Sequence, residues 1–404
     1  MQDIHNYKRT LERIVERVSS EEKFSKEDRE ITLRFKDDLL ASNISLPKVA
    51  RYLQDVIWFN RNFNKNFSLA TVENIKGVIA KLNQSSYSEN TKKSIKIALR
   101  KLYKFIRGVN QKGKYPPEVD WYTVTIANCK KKMPEELLNE NEMRRIIQAC
   151  TNERDRALIA VLCESGCRIG EIGTMKIKHI SLEEHGARIT VGGKTGMRKI
   201  LVIASAPYLQ TWLNHHPKNE DSDCALWISY CGKPIAYATF SHTLKKAAER
   251  AGIKKRVYPH LLRHSRATIM AKSMTDATMK HYFGWAQSSK MASVYIHMSG
   301  KDTDDAVLLA NGIEVKKENR ISKLIPKNCS RCGTRNETTH KFCKSCGISL
   351  TQEEAQRAIS EDEERSKTDE LMNKIIQNPE FLKKMVKIKN MERKFPYFAK
   401  GLKI

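Results

Sequence analysis

Residues 260–297 read HLLRHSRATIMAKSMTDATMKHYFGWAQSSKMASVYIH, and this stretch decides the fold. Its pattern predicts helices over about 260–271 and 276–283, then a segment that carries Tyr295. Three polar groups punctuate it: His260-Leu261-Leu262-Arg263-His264, Gly284-Trp285 and Val294-Tyr295-Ile296-His297. Upstream, a helix from Arg154 to Glu164 stops at Gly166, and a short helix restarts at Arg168 with Glu171 one turn on. Alternating segments Ala187–Val191 and Lys199–Ile203 flank Gly192-Gly193-Lys194-Thr195-Gly196, which predicts a β-hairpin with Lys194 at its tip. With another helix expected around 239–250, the class is mainly α with a small antiparallel β-sheet.

Further out, the spacing from about 20 to 108 is helical, with Val72, Ile75, Val78 and Leu82 on one stripe. After the break NQSSYSEN, Ile95, Leu99, Leu102 and Ile106 form another. That second helix also carries Lys92, Lys93, Lys96, Arg100, Lys101, Lys104 and Arg107, a basic face flanking an apolar stripe. Gly113, Tyr115-Pro116-Pro117 and Lys130-Lys131-Lys132 then interrupt the periodicity. A new helix starts at Asn139, an N-cap with Glu142 three residues later in a capping-box arrangement. The expected division is a helical domain over 1–110, a linker over 111–133 and a mixed domain over 134–315. A cysteine module over 325–351 and a charged, partly helical tail over 352–404 follow.

Lysine and arginine total 73 against 46 acidic residues, a formal net charge of +27. An excess of that size calls for a polyanion as partner, nucleic acid first of all. The beginning, MQDIHNYKRT, lacks the apolar centre of a signal peptide, and no stretch is long and apolar enough to span a bilayer, so the expected compartment is the cytoplasm with no membrane partner. Six of the ten cysteines are scattered singly, and four fall in two C-x-x-C pairs. Buried thiols plus one metal site fit that usage better than a disulfide framework.

Singly, each polar group is an ordinary surface or packing residue. In this order they resemble the tyrosine recombinase, or phage-type integrase, family: Arg168 in a G-x-R-x-x-E context, a hairpin lysine at Lys194, the H-x-x-R box of His260 and Arg263, Trp285 at the His-or-Trp position, and Tyr295 as nucleophile. The helical 20–108 region is similar to the family's core-binding domain. The interval from Trp285 to Tyr295 is one residue longer than the family's commonest pattern.

The resemblance implies a site-specific DNA recombinase that cuts and rejoins strands through a 3′-phosphotyrosine, for integration, excision or dimer resolution, as in mobile elements. Arg168 and Arg263 would neutralise the phosphate oxygens, and the Trp285 indole would donate to one of them. His260 would accept the Tyr295 proton, Lys194 would protonate the leaving 5′ oxygen, and Glu171 would hold Arg168 or its neighbours. His264 and His297 read as structural residues beside the motifs, and Tyr230, Tyr258 and Tyr282 lack the motif spacing of Tyr295. Energy kept in the covalent ester removes any need for ATP, and the displacement needs no catalytic metal. The expected partners are duplex DNA, held in a C-shaped clamp, and further copies of the chain in a synaptic multimer. The rival readings are a type IB topoisomerase-like relaxation, a catalytically silent DNA-binding regulator, and a zinc-ribbon RNA or transcription adaptor. The complete residue set argues against the last two.

Cys329-x-x-Cys332 and Cys343-x-x-Cys346, each followed by glycine, suit a tetrahedral structural Zn2+ site. The pattern resembles a zinc ribbon, a module too small for a core of its own. Such appendages on integrase-like enzymes resemble an archaeal habit.

Overall fold

The computed structural model describes residues 4–124, 134–193, 196–299, 307–308, 310–312, 324–380, 383–384 and 387. Lys194, expected at the hairpin tip, lies outside the described residues, as does the side chain of His297. The chain is mainly α-helical with two small antiparallel sheets.

The first helices are α1 (Tyr7–Ser20), α2 (Lys26–Ala41), α3 (Leu46–Asn62), α4 (Val72–Gln84) and α5 (Glu89–Ile106). Their starts are written locally: the Ser25, Thr71 and Ser88 side chains accept the N–H of Asp28, Asn74 and Thr91, satisfying donors that a helix leaves unpaired at its beginning. Their apolar stripes meet in one core, where Phe59 stacks on Phe63 and tilts against Phe67. Short helix α6 (Pro117–Asp120) follows, and Val119 and Tyr122 are buried in the same core. Part of the α5 basic face is spent on this segment. Arg100 donates to the carbonyls of Val119 and Tyr122 and lies over the Tyr115 ring, Lys104 donates to Gln111 O, and Arg107 pairs with Glu118.

The second unit begins with α7 (Glu140–Gln148), where Asn139 and Glu142 exchange both capping-box hydrogen bonds at 2.9 Å. Helix α8 (Glu153–Ser165) ends on Gly166 in a left-handed conformation, and α9 (Ile169–Gly173) restarts within three residues. A three-stranded antiparallel sheet, β1 (Ile180–Glu183), β2 (Gly186–Gly193) and β3 (Gly196–Val202), continues the chain. Ile189 pairs with Ile200 and Val191 with Arg198, so the period-two alternation turns Ile200, Val202 and Arg198 to the same buried face. Strand β1, which no hairpin signal announces, is short and exposed along most of its length. Helices α10 (Ala206–Asn214), α11 (Tyr237–Arg250), α12 (Pro259–Met270), α13 (Asp276–Phe283) and α14 (Met291–Ser299) complete the unit. Buried α8 sits at its centre, packed against α7, α10 and α12.

The beginning of the chain joins this second unit. Ile4 is buried in its core, its Cδ1 so close to Gly173 that a Cβ there would lie 2.7 Å away. Its carbonyl accepts the Tyr237 N–H, and His5 packs against the Tyr237 ring. Downstream, β4 (Lys327–Asn328) pairs with β5 (Arg335–Asn336) in the cysteine module. That module docks on the second unit through buried Leu324 and a Tyr208–Thr339 hydroxyl contact. Helix α15 (Gln352–Ile376) follows and buries no residue.

Candidate active site

The residues singled out on α12, α13 and α14 converge because the short loops between these helices fold α13 and α14 back onto α12. Thr275 caps α13 at its start, and Gly284 ends it with φ of 60°, a conformation that glycine adopts without steric cost. That turn directs Trp285 inward, and its backbone N–H donates to Lys280 O. Trp285 stacks on both Phe283 and Tyr295, with the Tyr295 and Trp285 planes 3° apart. Ala267, Met279 and Ala292 close the apolar cluster around them.

Arg168, His260, Arg263, His264, Trp285 and Tyr295 line one open cleft of about 490 Å³. Tyr295 is almost fully buried, and burial pushes its hydroxyl up to about 12, partly offset by nearby Arg263. Nδ1 of His264 shares a short hydrogen bond with the Tyr295 hydroxyl. His260 stands one turn earlier on α12, its ring 6.1 Å from that of His264. Sequence reading gave the contact with tyrosine to His260 and treated His264 as structural; the imidazole on the hydroxyl is that of His264.

Arg263 is buried, and two carbonyls fix it: Nη1 donates to Gly166 O at 3.0 Å and Nη2 to Phe283 O at 2.6 Å. Among the described residues no carboxylate forms an ion pair with it, and burial together with the like charge of Arg168 pushes it down to about 10. A buried guanidinium held by neutral groups is a site prepared for an anion.

Arg168 is half-exposed at the start of α9. Its Nη1 donates to Glu171 Oε1 at 2.9 Å and to Gly284 O at 3.3 Å. Burial acts to raise the Glu171 carboxyl, but the bonds from Arg198 and Arg168 outweigh it and hold the group below the ordinary range. Arg198, absent from the residues singled out in sequence, forms the other half of this network with only 8% exposure. Its signal was parity: on β3 it falls in step with Ile200 and Val202, a charge where an inward apolar residue is expected.

The four cysteines of the second motif also converge. The Sγ atoms of Cys329, Cys332, Cys343 and Cys346 all lie within 4.8 Å of one another, with 3.5 Å and 3.6 Å between the Cys329–Cys346 and Cys332–Cys343 pairs. Tetrahedral thiolates around one zinc at its usual bond length would stand roughly 3.8 Å apart. Asn336 Nδ2 donates to Cys343 Sγ and the Cys332 N–H to Cys329 Sγ, as thiolate acceptors require. Gly333 and Gly347 take the positive φ that the turn after each pair needs.

Residues 136–302 match the model of the Phage integrase family. Tyrosine recombinase XerA of Pyrococcus furiosus is 28% identical over 243 residues, 58% of this chain and 79% of that protein. Tyrosine recombinase XerC of Lactobacillus delbrueckii is 27% identical over 214 residues, 50% of this chain and 70% of its own. Among solved structures, the XerH recombinase in a post-cleavage complex with its difH substrate superposes with a TM-score of 0.55 at 20% identity, covering 77% of this chain and 98% of that one. A lambda integrase dimer on a COC′ core site gives 0.53 at 17% identity, covering 66% and 76%, so the fold is shared. The tyrosine-bearing cleft lies within the matched segment, and the family model, the relatives and the shared fold together support the tyrosine recombinase family.

Proposed function

We propose that the protein is a site-specific DNA recombinase that cleaves and rejoins strands through a covalent 3′-phosphotyrosine at Tyr295. The observation that carries this reading is the Tyr295 hydroxyl, bonded by His264 in a cleft that Arg168 and Arg263 also line. A hydroxyl that titrates near 12 is a poor nucleophile at neutral pH and needs a base in contact with it. His264 takes that proton as Tyr295 Oη bonds to the scissile phosphorus. Arg168 and Arg263 neutralise the charge on the non-bridging oxygens, His260 and the Trp285 indole donate to them, and the phosphorus–O5′ bond breaks. Lys194 supplies the proton that the departing 5′ oxygen takes up. The ester stores the bond, so attack by a 5′ hydroxyl from another strand reverses the step and returns both protons.

Duplex DNA is the partner, clamped between the helical unit of α1–α6 and the catalytic unit in the cytoplasm. Lambda integrase binds a core site as a dimer and a Holliday junction as a tetramer, and this chain assembles likewise when two sites pair. Most of the affinity comes from phosphate contacts. Cys329, Cys332, Cys343 and Cys346 hold one structural Zn2+ that folds the ribbon.

The test is covalent capture. Incubated with a pool of duplexes of randomised sequence, the wild-type protein should form adducts that survive denaturation, and Tyr295→Phe should form none while still binding DNA. Adduct from Tyr295→Phe, or none from the wild type on duplexes it binds tightly, would overturn the reading. Relaxation of supercoiled DNA without exchange between captured sites would instead mark a topoisomerase.

A further inference from the structure

Glu171 places a negative charge beside the cationic cleft, and one buried guanidinium answers it. Arg198 Nη2 donates to Glu171 Oε2 at 2.8 Å and Nη1 to Oε1 at 3.2 Å, a two-pronged pair in which both partners are buried. The same carboxylate accepts the backbone N–H of Arg168 on Oε2 and its Nη1 on Oε1, both at 2.9 Å. The remaining edge of Arg198 donates Nε to Tyr282 O at 2.9 Å, two residues before the Gly284 turn that presents Trp285. Two glycines are shaped to this network. A Cβ on Gly193, at the base of the Lys194 hairpin, would lie 2.5 Å from Glu171 Oε1, and one on Gly284 would lie 2.6 Å from Arg198 Nη1.

We propose that Arg198 is a positioning residue for strand cleavage: by pairing with Glu171 it leaves the charge of Arg168 available to the scissile phosphate and fixes that guanidinium against the Gly284 turn. Without Arg198 the carboxylate has one cationic partner, Arg168, and is drawn wholly onto it. The phosphate then meets a neutralised arginine beside a buried negative charge. Arg198 does not line the cleft, so it acts through Glu171 and the Tyr282 carbonyl rather than by touching DNA. This role rests on the recombinase reading.

The experiment uses the full chain and a duplex recovered from the covalent-capture pool, prepared with either the natural phosphodiester or an uncharged methylphosphonate at the scissile position. Single-turnover adduct formation is measured at saturating protein for wild type, Arg198→Met, Arg198→Lys, Arg168→Met and the double variant Arg198→Met with Glu171→Gln. On the phosphodiester, Arg198→Met should slow adduct formation about a hundredfold, the scale of an ångström's misplacement. Arg198→Lys, which keeps the charge, should lose less. On the methylphosphonate, which carries no charge to neutralise, the defects of Arg198→Met and Arg168→Met should shrink together by at least about tenfold. The double variant should regain about tenfold or more over Arg198→Met, because the unanswered carboxylate is gone. Should Arg198→Met fail to fold, the double variant and Arg198→Lys carry the same comparison. Equal defects on the two substrates, a double variant or an Arg198→Lys variant no better than Arg198→Met, or undiminished cleavage by Arg198→Met would overturn the proposal. A wild type that forms no adduct overturns the enzyme reading first and this role with it.

Discussion

His264 holds the Tyr295 hydroxyl, and in the proposed mechanism the pH dependence of cleavage follows from that contact. With a base on the Tyr295 hydroxyl, the wild-type rate should level off once that base is neutral. His264→Ala leaves a buried phenol near 12, so its rate should depend on the small tyrosinate fraction. It should fall about a hundredfold or more near neutrality and rise roughly tenfold per pH unit toward that value. A rate profile from pH 6 to 9 on the captured duplex checks this; a flat profile for the variant would remove His264 from the proton path. Gly284 makes a second residue-scale test. Its φ of 60° and the Arg198 guanidinium beside it forbid a side chain, so Gly284→Ala should lose about 2 kcal/mol or more in denaturant unfolding. Trp285 should be misdirected and adduct formation lost with it. That Arg168, His260, Arg263, Trp285 and Tyr295 share one cleft was legible in sequence because motif spacing carried them. Arg198 and the His264 contact were not, since the first acts through a strand's inward face and the second depends on how α14 rolls against α12.

At the scale of elements, local chemistry made several starts and stops readable. Asn139 and Glu142 announced α7, Gly166 ended α8, and the glycine-rich run marked the β2–β3 hairpin. Strand β1 was missed because exposed short segments carry no alternation, and α6 because a Pro-Pro start reads as a break although its proline suits a helix's first turn. The α5 basic face shows why a charge stripe misleads: Arg100 donates to the Val119 carbonyl and Arg107 pairs with Glu118, so both are engaged by α6. Arg100→Ala should therefore destabilise the helical unit by about 1–3 kcal/mol, leaving buried carbonyls unpaired. The slope of DNA affinity against salt should be almost unchanged. Lys93→Ala and Lys96→Ala should do the reverse, each reducing that slope by about one unit. Titrations of all three variants at several salt concentrations separate the roles.

For the whole molecule, the cysteine module docks through Leu324 and the Tyr208–Thr339 contact, and if it holds Zn2+ as proposed, metal binding supplies its folding free energy. Chelation at neutral pH should release one Zn2+ per chain and make the ribbon sensitive to proteolysis, while adduct formation at Tyr295 persists; retained protease resistance without metal would argue against a metal-dependent fold. The beginning of the chain sets a different constraint. Ile4 is seated in the catalytic core, and the covalent chain returns to that unit after residue 124, so the helical unit is tied to its neighbour at both ends. A body held by two tethers samples a far smaller volume than one on a single leash, and its local concentration over the cleft rises accordingly. Freeing the Ile4 end converts a hinged flap into a pendant, and every DNA contact made by the helical unit then carries an added entropic cost of re-closure.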